Sequence, residues 1–326
     1  ARTRLALWLA LILGHVVVDF YAGMLAPLQE PTLTAHLGRD LAAVAVLLGV
    51  FSITVNAAQP LAGLVLGDRT APWLLVMAPS LAAVMAGLGL SRGYGTTMLL
   101  VLASAAGVAM YHPEGAMAVH AAGDRYRHLG MSLFVSGGFF GSACGALAAG
   151  WWASVRGLSD FWLLTLPGPA MSLLLVGLGA HRLQVESSEP DTVPSRDMPF
   201  GHVQSLAIAY AVGITLLFNF LPVGIVHRFG PDSQKWGGAA LFALGLSTAL
   251  GSYAWAGIAA RLSTSRTITL ELLVSLVPAI LLLAALHGGS MTAVLVACAL
   301  TGLATGGIFP LLVLLARGTT PIGRRL

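Results

Sequence analysis

Residues 5–27 read LALWLALILGHVVVDFYAGMLAP, and His15 and Asp19 are the only members of the Asp, Glu, His, Lys and Arg set among them. A helix that crosses a membrane needs roughly 20 apolar residues. This stretch is long enough, and its two polar residues stand in the middle rather than at an end. The pattern recurs along the chain. Runs free of that set cover 41–67, 70–91, 93–111, 129–155, 161–180, 203–226, 236–260 and 288–316, while 268–286 carries only Glu271, near its start. Ten membrane helices are expected. Continuous runs of this kind are unlike the short alternating strands of a membrane barrel. The first is not read as a signal peptide, because a polar pair interrupts it and no small-residue cleavage site follows.

The composition agrees. The 326 residues are 57% hydrophobic and 9% charged, whereas soluble domains run at about 25% charged. So little charge cannot clothe a surface facing water, which argues against a soluble enzyme and equally against a disordered chain. The net charge of +4 does not point to nucleic acid, since every basic residue but Lys235 is an arginine and none lies in a basic tract. The cations instead set an orientation. With the N-terminus in the cytoplasm, the inner loops hold Arg2, Arg4, Arg69, Arg125, Arg127, Arg182, Arg196, Arg261, Arg266, Arg317, Arg324 and Arg325. The outer loops hold only Arg39, Arg92, Arg156, Arg228 and Lys235. Positive loops stay inside, so a multi-pass protein of the inner (cytoplasmic) membrane with a cytoplasmic N-terminus is expected, with the lipid bilayer as its surroundings. Cys144 and Cys298 lie in apolar runs and have neither disulfide nor metal spacing.

The longest polar segment, RLQVESSEPDTVPSRDMPF over 182–200, divides the chain. It separates an N-terminal six-helix bundle, 1–181, from a C-terminal part, 201–326, with four helices. The two parts echo each other. Gly107-Val-Ala-Met-Tyr-His-Pro113 in the fourth helix and Gly302-Leu-Ala-Thr-Gly-Gly-Ile-Phe-Pro310 in the tenth are each followed by a loop containing arginines, the weak internal symmetry that transporters show. Two helices follow the first of these loops. A six-plus-six design with two further helices beyond Leu326 is therefore expected, a natural ten-helix protein being the alternative.

Ionisable groups in mid-membrane cost about 2.5–3.5 kcal/mol each on insertion scales and mark function. His15 and Asp19 stand four apart and share a helix face. A carboxylate beside an imidazole forms a unit able to take and release a proton near neutral pH. In the fourth helix His112, Pro113 and Glu114 are adjacent. The proline lacks an N–H, so a kink or opening is expected. His112 and Glu114 project to opposite sides, one towards a cavity and one towards a neighbouring helix. Asp19 and Glu114 are the two acids expected inside and the expected proton carriers, tuned by His15 and His112. Asn56 and Gln59 in the second helix and Asn219 in the seventh are the candidates for substrate contact. Gly137, Gly141 and Gly145 form a strip that lets another helix approach closely. No nucleotide, phosphate-loop or zinc motif is present. His15, Asp19, His112, Glu114 and His120 carry metal-ligand chemistry, but nothing in their spacing brings them together, so neither metal nor cofactor is assigned.

On Gly14-His15-Val-Val-Val-Asp19, Gln59-Pro60-Leu-Ala-Gly63 leading to Asp68-Arg69, Tyr111-His112-Pro113-Glu114 and Arg127-His128-Leu-Gly130, the chain resembles the major facilitator superfamily. Within it, the resemblance is to the branch typified by the fosmidomycin-resistance transporter. It covers the first five helices and thins to helix pattern over 200–326. The resemblance implies an all-helical membrane protein of two six-helix bundles around a central cavity, working by alternating access. It implies that Asp68 and Arg69 belong to a cytoplasmic gating loop, that Gly141 to Gly150 correspond to a helix-five antiporter motif, and that the activity is proton-coupled efflux of a small molecule by a monomer, not enzymatic catalysis. The chain departs from the pattern in three ways: one extra residue between Gly63 and Asp68, Ala146 in place of the usual helix-five proline, and Arg261 in place of an acid after Gly257. A pH-independent facilitator or uptake symporter for an organic anion or polar metabolite is the alternative. A non-transporting membrane scaffold or receptor on the same fold is a third.

Overall fold

The computed structural model describes residues 2–66, 71–123, 127–183 and 200–319, the side chains at 2–3, 59–66, 127–128, 200, 314 and 316–319 excepted. Among these residues nine helical spans are long and apolar enough to cross a membrane, with a shorter apolar helical stretch at Phe161–Gly177. In chain order the helices are α1 (Arg2–Met24), α2 (Leu41–Leu66), α3 (Pro72–Ala82), α4 (Tyr94–Ala122), α5 (Arg127–Arg156), α6 (Pro167–Gly177), α7 (Phe200–Phe229), α8 (Gln234–Ala259), α9 (Thr264–Gly288), α10 (Met291–Thr305) and α11 (Ile308–Thr319). The last two form one span, interrupted at Gly306–Gly307. The nine spans and the shorter stretch fall on the ten apolar runs. Leu173, Ile53, Ile280 and Leu99 are among many large apolar side chains left exposed. A surface of that kind suits lipid rather than water.

The sixth segment departs from the single helix expected over 161–180. It is a 3₁₀ turn, Phe161–Thr165, followed by α6, with Pro167 at the first helical position. Proline tolerates that position, but Pro167 and Pro169 supply no N–H to the carbonyls before them. Tyr21 of α1, fully buried, repairs the break. Its hydroxyl donates to the Leu164 and Thr165 carbonyls at 3.1 Å each and accepts the Gly168 N–H at 2.8 Å. In the fourth segment, of the kink or opening expected at Pro113, the opening does not occur: α4 runs on as one helix.

Between α1 and α2 the chain makes a 3₁₀ turn at Ala26–Leu28, an irregular turn at Gln29–Leu33 and a single helical turn at Thr34–Leu37. Gly38, in the left-handed region at φ 57°, ends it as glycine does at helix C-termini.

Helix α5 is the keystone, packing against α1 on one side and α8 on the other. Without side chains, Gly141 and Gly145 meet the main-chain carbonyls of Val16 and Phe20, and Gly137 lies against the Val16 side chain. On the other side Gly150 and the Ala146 carbonyl meet Gly238 of α8, while Ala143 and the Phe139 carbonyl meet Gly245. In lipid, where burial of apolar surface does not drive helices together, such close approach is what holds them. The α5–α8 pair joins the first six helices to the later ones.

Candidate functional site

The three elements α1, α4 and α5 converge on one group, buried at His15 and Asp19 and partly exposed at His112. His15 and Asp19 lie on one face of α1, their residues 4% and 9% exposed. His112 reaches them from α4. His15 Nε2 lies 3.4 Å from Asp19 Oδ2, and His112 Nε2 lies 3.5 Å from Asp19 Oδ1. One carboxylate thus faces two imidazoles, one on each oxygen.

The far side of each ring decides its tautomer. His15 Nδ1 is 2.6 Å from the Phe134 carbonyl of α5, and His112 Nδ1 is 2.8 Å from the Val108 carbonyl of its own helix. A carbonyl oxygen only accepts, so each Nδ1 carries the hydrogen. A neutral ring then presents the lone pair of Nε2 to Asp19. Lone pair against carboxylate is repulsive, and His15 Nε2 is buried with no hydrogen bond made. A proton placed in either gap turns repulsion into a charge-assisted hydrogen bond. Such an arrangement can hold an exchangeable proton on the carboxylate or on either Nε2.

Packing fixes the geometry. The His15 ring stacks on Phe134 with centroids 3.8 Å apart and stands edge-on to His112 at 4.7 Å. Tyr111 lies parallel beyond it, its hydroxyl donating to the Leu11 carbonyl at 2.7 Å. Gly14 leaves room for that hydroxyl. Gly138 of α5 covers the triad, and a Cβ there would sit 2.6 Å from both Asp19 Oδ2 and His15 Cε1.

Glu114 does not join this group. It is buried, and both its carboxyl oxygens lie 3.1 Å from the Ala71 N–H, which they cap at the start of α3. The opposite projection of His112 and Glu114 is realised, with His112 turned to Asp19 and Glu114 to a neighbouring helix. Asn56 is exposed and donates to the Ser52 carbonyl of its own helix at 2.7 Å. Asn219 lines a cavity of about 250 Å³ between α2 and α7, together with Gln29, Ser52 and Thr215. The Gln59 side chain, Asp68 and Arg69 lie outside the described residues.

A third acid is inside, contrary to the expectation of two. Glu271 of α9 is fully buried. Its signal was available in the sequence, an acid in a long apolar run, but its place near the start of that run reads as a loop-side position.

His15, Asp19 and His112 offer donor atoms within 4.8 Å of one another, and no fourth His, Cys, Asp or Glu joins them among the described residues. Imidazole and carboxylate are donors that transition metals also take. No metal was assigned from the sequence, because the arrival of His112 beside Asp19 is a tertiary contact.

At the end of the bundle where α1 finishes, polar contacts tie the first helices to the later ones. Glu30 Oε2 meets His227 Nε2 at 2.8 Å. Gln234 Nε2 donates to the Pro27 carbonyl at 2.9 Å and to Thr32 Oγ1 at 2.7 Å. The Gln29 amide donates to the Asn219 carbonyl. Towards the other end, Ser136 of α5 and Tyr253 of α8 share a hydrogen bond of 2.5 Å.

No curated protein sequence matches this chain. Among solved structures it is similar to a bacterial homologue of the human lysosomal transporter Spinster, captured in an inward-facing, unoccupied conformation. The TM-score is 0.73 at 14% identity, over 99% of this chain and 77% of that one, a likeness of fold. A sequence profile described as the Major Facilitator Superfamily matches residues 11–325. With that match running nearly end to end over a helical membrane bundle, the chain belongs to the Major Facilitator Superfamily.

Proposed function

We propose that this protein is a proton-coupled secondary transporter that exports a small molecule across the cytoplasmic membrane by alternating access. The observation that carries the reading is the triad: one buried carboxylate between two imidazoles whose Nε2 atoms both face it and whose Nδ1 hydrogens are already committed. Asp19 is the carrier, and His15 and His112 exchange its proton. Glu114 acts at a distance from them, holding the start of α3, which follows Asp68 and Arg69 in sequence, and its protonation loosens the cytoplasmic gate. Membership of the superfamily supports membrane transport rather than enzymatic catalysis. The helix-one and helix-four motifs favour the fosmidomycin-resistance branch, and hence drug-like cargo.

Residues 1–181 and 201–326 act as two rocking bundles joined by the cytoplasmic linker 182–200, as a monomer. With the N-terminus inside, the Glu30–His227 and Gln234 contacts close the outer side. The triad, buried between α1, α4 and α5, is then reached by protons from the cytoplasm until those contacts part. The cavity beside Asn219 and Gln29 lies against that closure and offers cargo an almost wholly apolar wall.

The test is flux in proteoliposomes, with fosmidomycin as the first cargo, under an imposed pH gradient. Accumulation driven by the gradient is expected, and it should fail in Asp19→Asn. Flux that ignores pH and runs down the cargo gradient would replace this reading with the facilitator. Undiminished coupling in both Asp19→Asn and Glu114→Gln would remove the assigned carriers.

A further inference from the structure

The interruption of the tenth span at Gly306–Gly307 is held open by two side chains from other helices. In a continuous helix the Gly307 N–H would donate to the Leu303 carbonyl four residues back. Here both halves of that bond are taken. The Gly307 N–H donates to Glu271 Oε1 of α9 at 2.5 Å. The Leu303 carbonyl accepts the Trp255 indole N–H of α8 at 2.8 Å. The Ile308 N–H also engages the Glu271 carboxyl. Pro310, with no N–H of its own, makes a break at this place cheap. Gly307 fits because a Cβ there would collide with Trp255 and lie 2.9 Å from Glu271 Oε2.

The carboxyl has one commitment unmet. Glu271 is 0% exposed, and its Oε2 is buried with no hydrogen-bond partner. The helix N-terminus and two N–H groups favour a carboxylate, while the surrounding apolar side chains favour the neutral acid. The ionisable groups around it are few. Tyr210 of α7 interacts with it electrostatically. Over 236–260 α8 has no Asp, Glu, His, Lys or Arg, and its Tyr253 is occupied with Ser136. In α10 the titratable residue is Cys298, more than two turns before the break, and on α9 Arg266 is exposed, five residues before Glu271. The side chain of Arg317 in α11 lies outside the described residues.

We propose that Glu271 is a second proton-binding residue, acting as a hinge switch in the later helices: its carboxylate keeps the tenth span broken, and a proton on Oε2 lets the span close. The proton adds to Oε2 and no other covalent bond changes. The Oε1 that remains is a neutral acceptor, roughly half as strong as a charged one. The Gly307 N–H then returns to Leu303, and Trp255 is released. The switch is separate from the Asp19 triad in residue, helix and bundle. A structural cap alone would not need a charge, since a neutral amide oxygen also accepts the Gly307 N–H, though more weakly than a carboxylate.

The experiment is amide hydrogen–deuterium exchange over 303–310 in the full chain in lipid nanodiscs, scanned from about pH 5 to about pH 9 and corrected for the intrinsic pH dependence of exchange. Wild type should show a one-proton transition, with exchange about fivefold slower on the acid side, the factor expected when a charged hydrogen-bond partner is exchanged for a neutral one. Glu271→Gln should be slow throughout with no transition. Asp19→Asn should keep the wild-type transition even where transport coupling is lost. Trp255→Phe, which keeps the carboxyl but frees the Leu303 carbonyl, should move the transition to higher pH, and it decides the matter if Glu271→Gln does not fold. Absence of a transition in wild type, a transition retained in Glu271→Gln, or one unmoved in Trp255→Phe would overturn the proposal.

Discussion

Adding one methyl group at Gly138 should disable the triad without touching any of its ionisable residues. The new Cβ would stand 2.6 Å from Asp19 Oδ2 and His15 Cε1 and 3.0 Å from His15 Nε2. Ordinary contact begins near 3.4 Å, so the group must open by about 0.8 Å, roughly a quarter of the Nε2–carboxylate spacing. Neither partner can yield freely. His15 is held by the Phe134 carbonyl at 2.6 Å and by the Phe134 ring at 3.8 Å, and Asp19 sits between two imidazoles. Overpacking of this kind costs about 1–3 kcal/mol, which lowers the population of the intact triad by about 5- to 150-fold. Gly137→Ala is the control, because its Cβ would lie 3.2 Å from the single methyl Val16 Cγ2, a contact that a small side-chain shift relieves. In proteoliposomes, pH-driven accumulation should fall by about tenfold or more in Gly138→Ala and by less than about twofold in Gly137→Ala. Both should elute as folded monomers. If Gly138→Ala transports like wild type, or if Gly137→Ala is the worse of the two, the triad geometry is not what limits coupling.

Other perturbations test the surroundings. Tyr21→Phe leaves the Leu164 and Thr165 carbonyls and the Gly168 N–H without their shared partner, which should lower stability by about 1–3 kcal/mol, read as a fall in thermal unfolding temperature in detergent. Gln234→Ala removes the contacts to Pro27 and Thr32 that, in the proposed function, form the outer closure. It should raise labelling of a cysteine placed at Asn219 by an impermeant thiol reagent severalfold, whereas unchanged labelling would mean that these contacts do not form the closure. Glu114→Ala should cost about 1 kcal/mol through loss of the cap on α3. Glu114→Gln keeps an acceptor for the Ala71 N–H and should recover most of that stability while losing the proton-dependent part of transport.

The membrane class and the nine described spans were legible because bilayer insertion is judged segment by segment on apolar length, a one-dimensional property. The His15–Asp19 pair was legible for a similar reason, since four residues apart on a helix is a local relation. The third member was not: His112 meets Asp19 only through the packing of α4 on α1, which no spacing within either helix encodes. The sequence placed His112 and Glu114 on opposite sides, yet it could not say that Glu114 would cap α3. The likeness of 107–113 to 302–310 reads as internal symmetry, with an opening expected only at Pro113. It is the later segment that opens, because Trp255 and Glu271 are there to satisfy the separated carbonyl and N–H, whereas α4 runs on through Pro113. The sixth segment looked like one helix until Pro167 and Pro169 were weighed against the Tyr21 hydroxyl that compensates for them.

That a proton resides on the His15–Asp19–His112 group is tested most directly by proton uptake of the purified protein. A pH jump with a soluble indicator dye, on wild type and Asp19→Asn in the same lipid nanodiscs, counts the protons without requiring the cargo to be known. Wild type should take up a proton that Asp19→Asn does not, with Glu271 titrating alike in both. Equal uptake by the two proteins would contradict the assignment of Asp19 as the coupling residue.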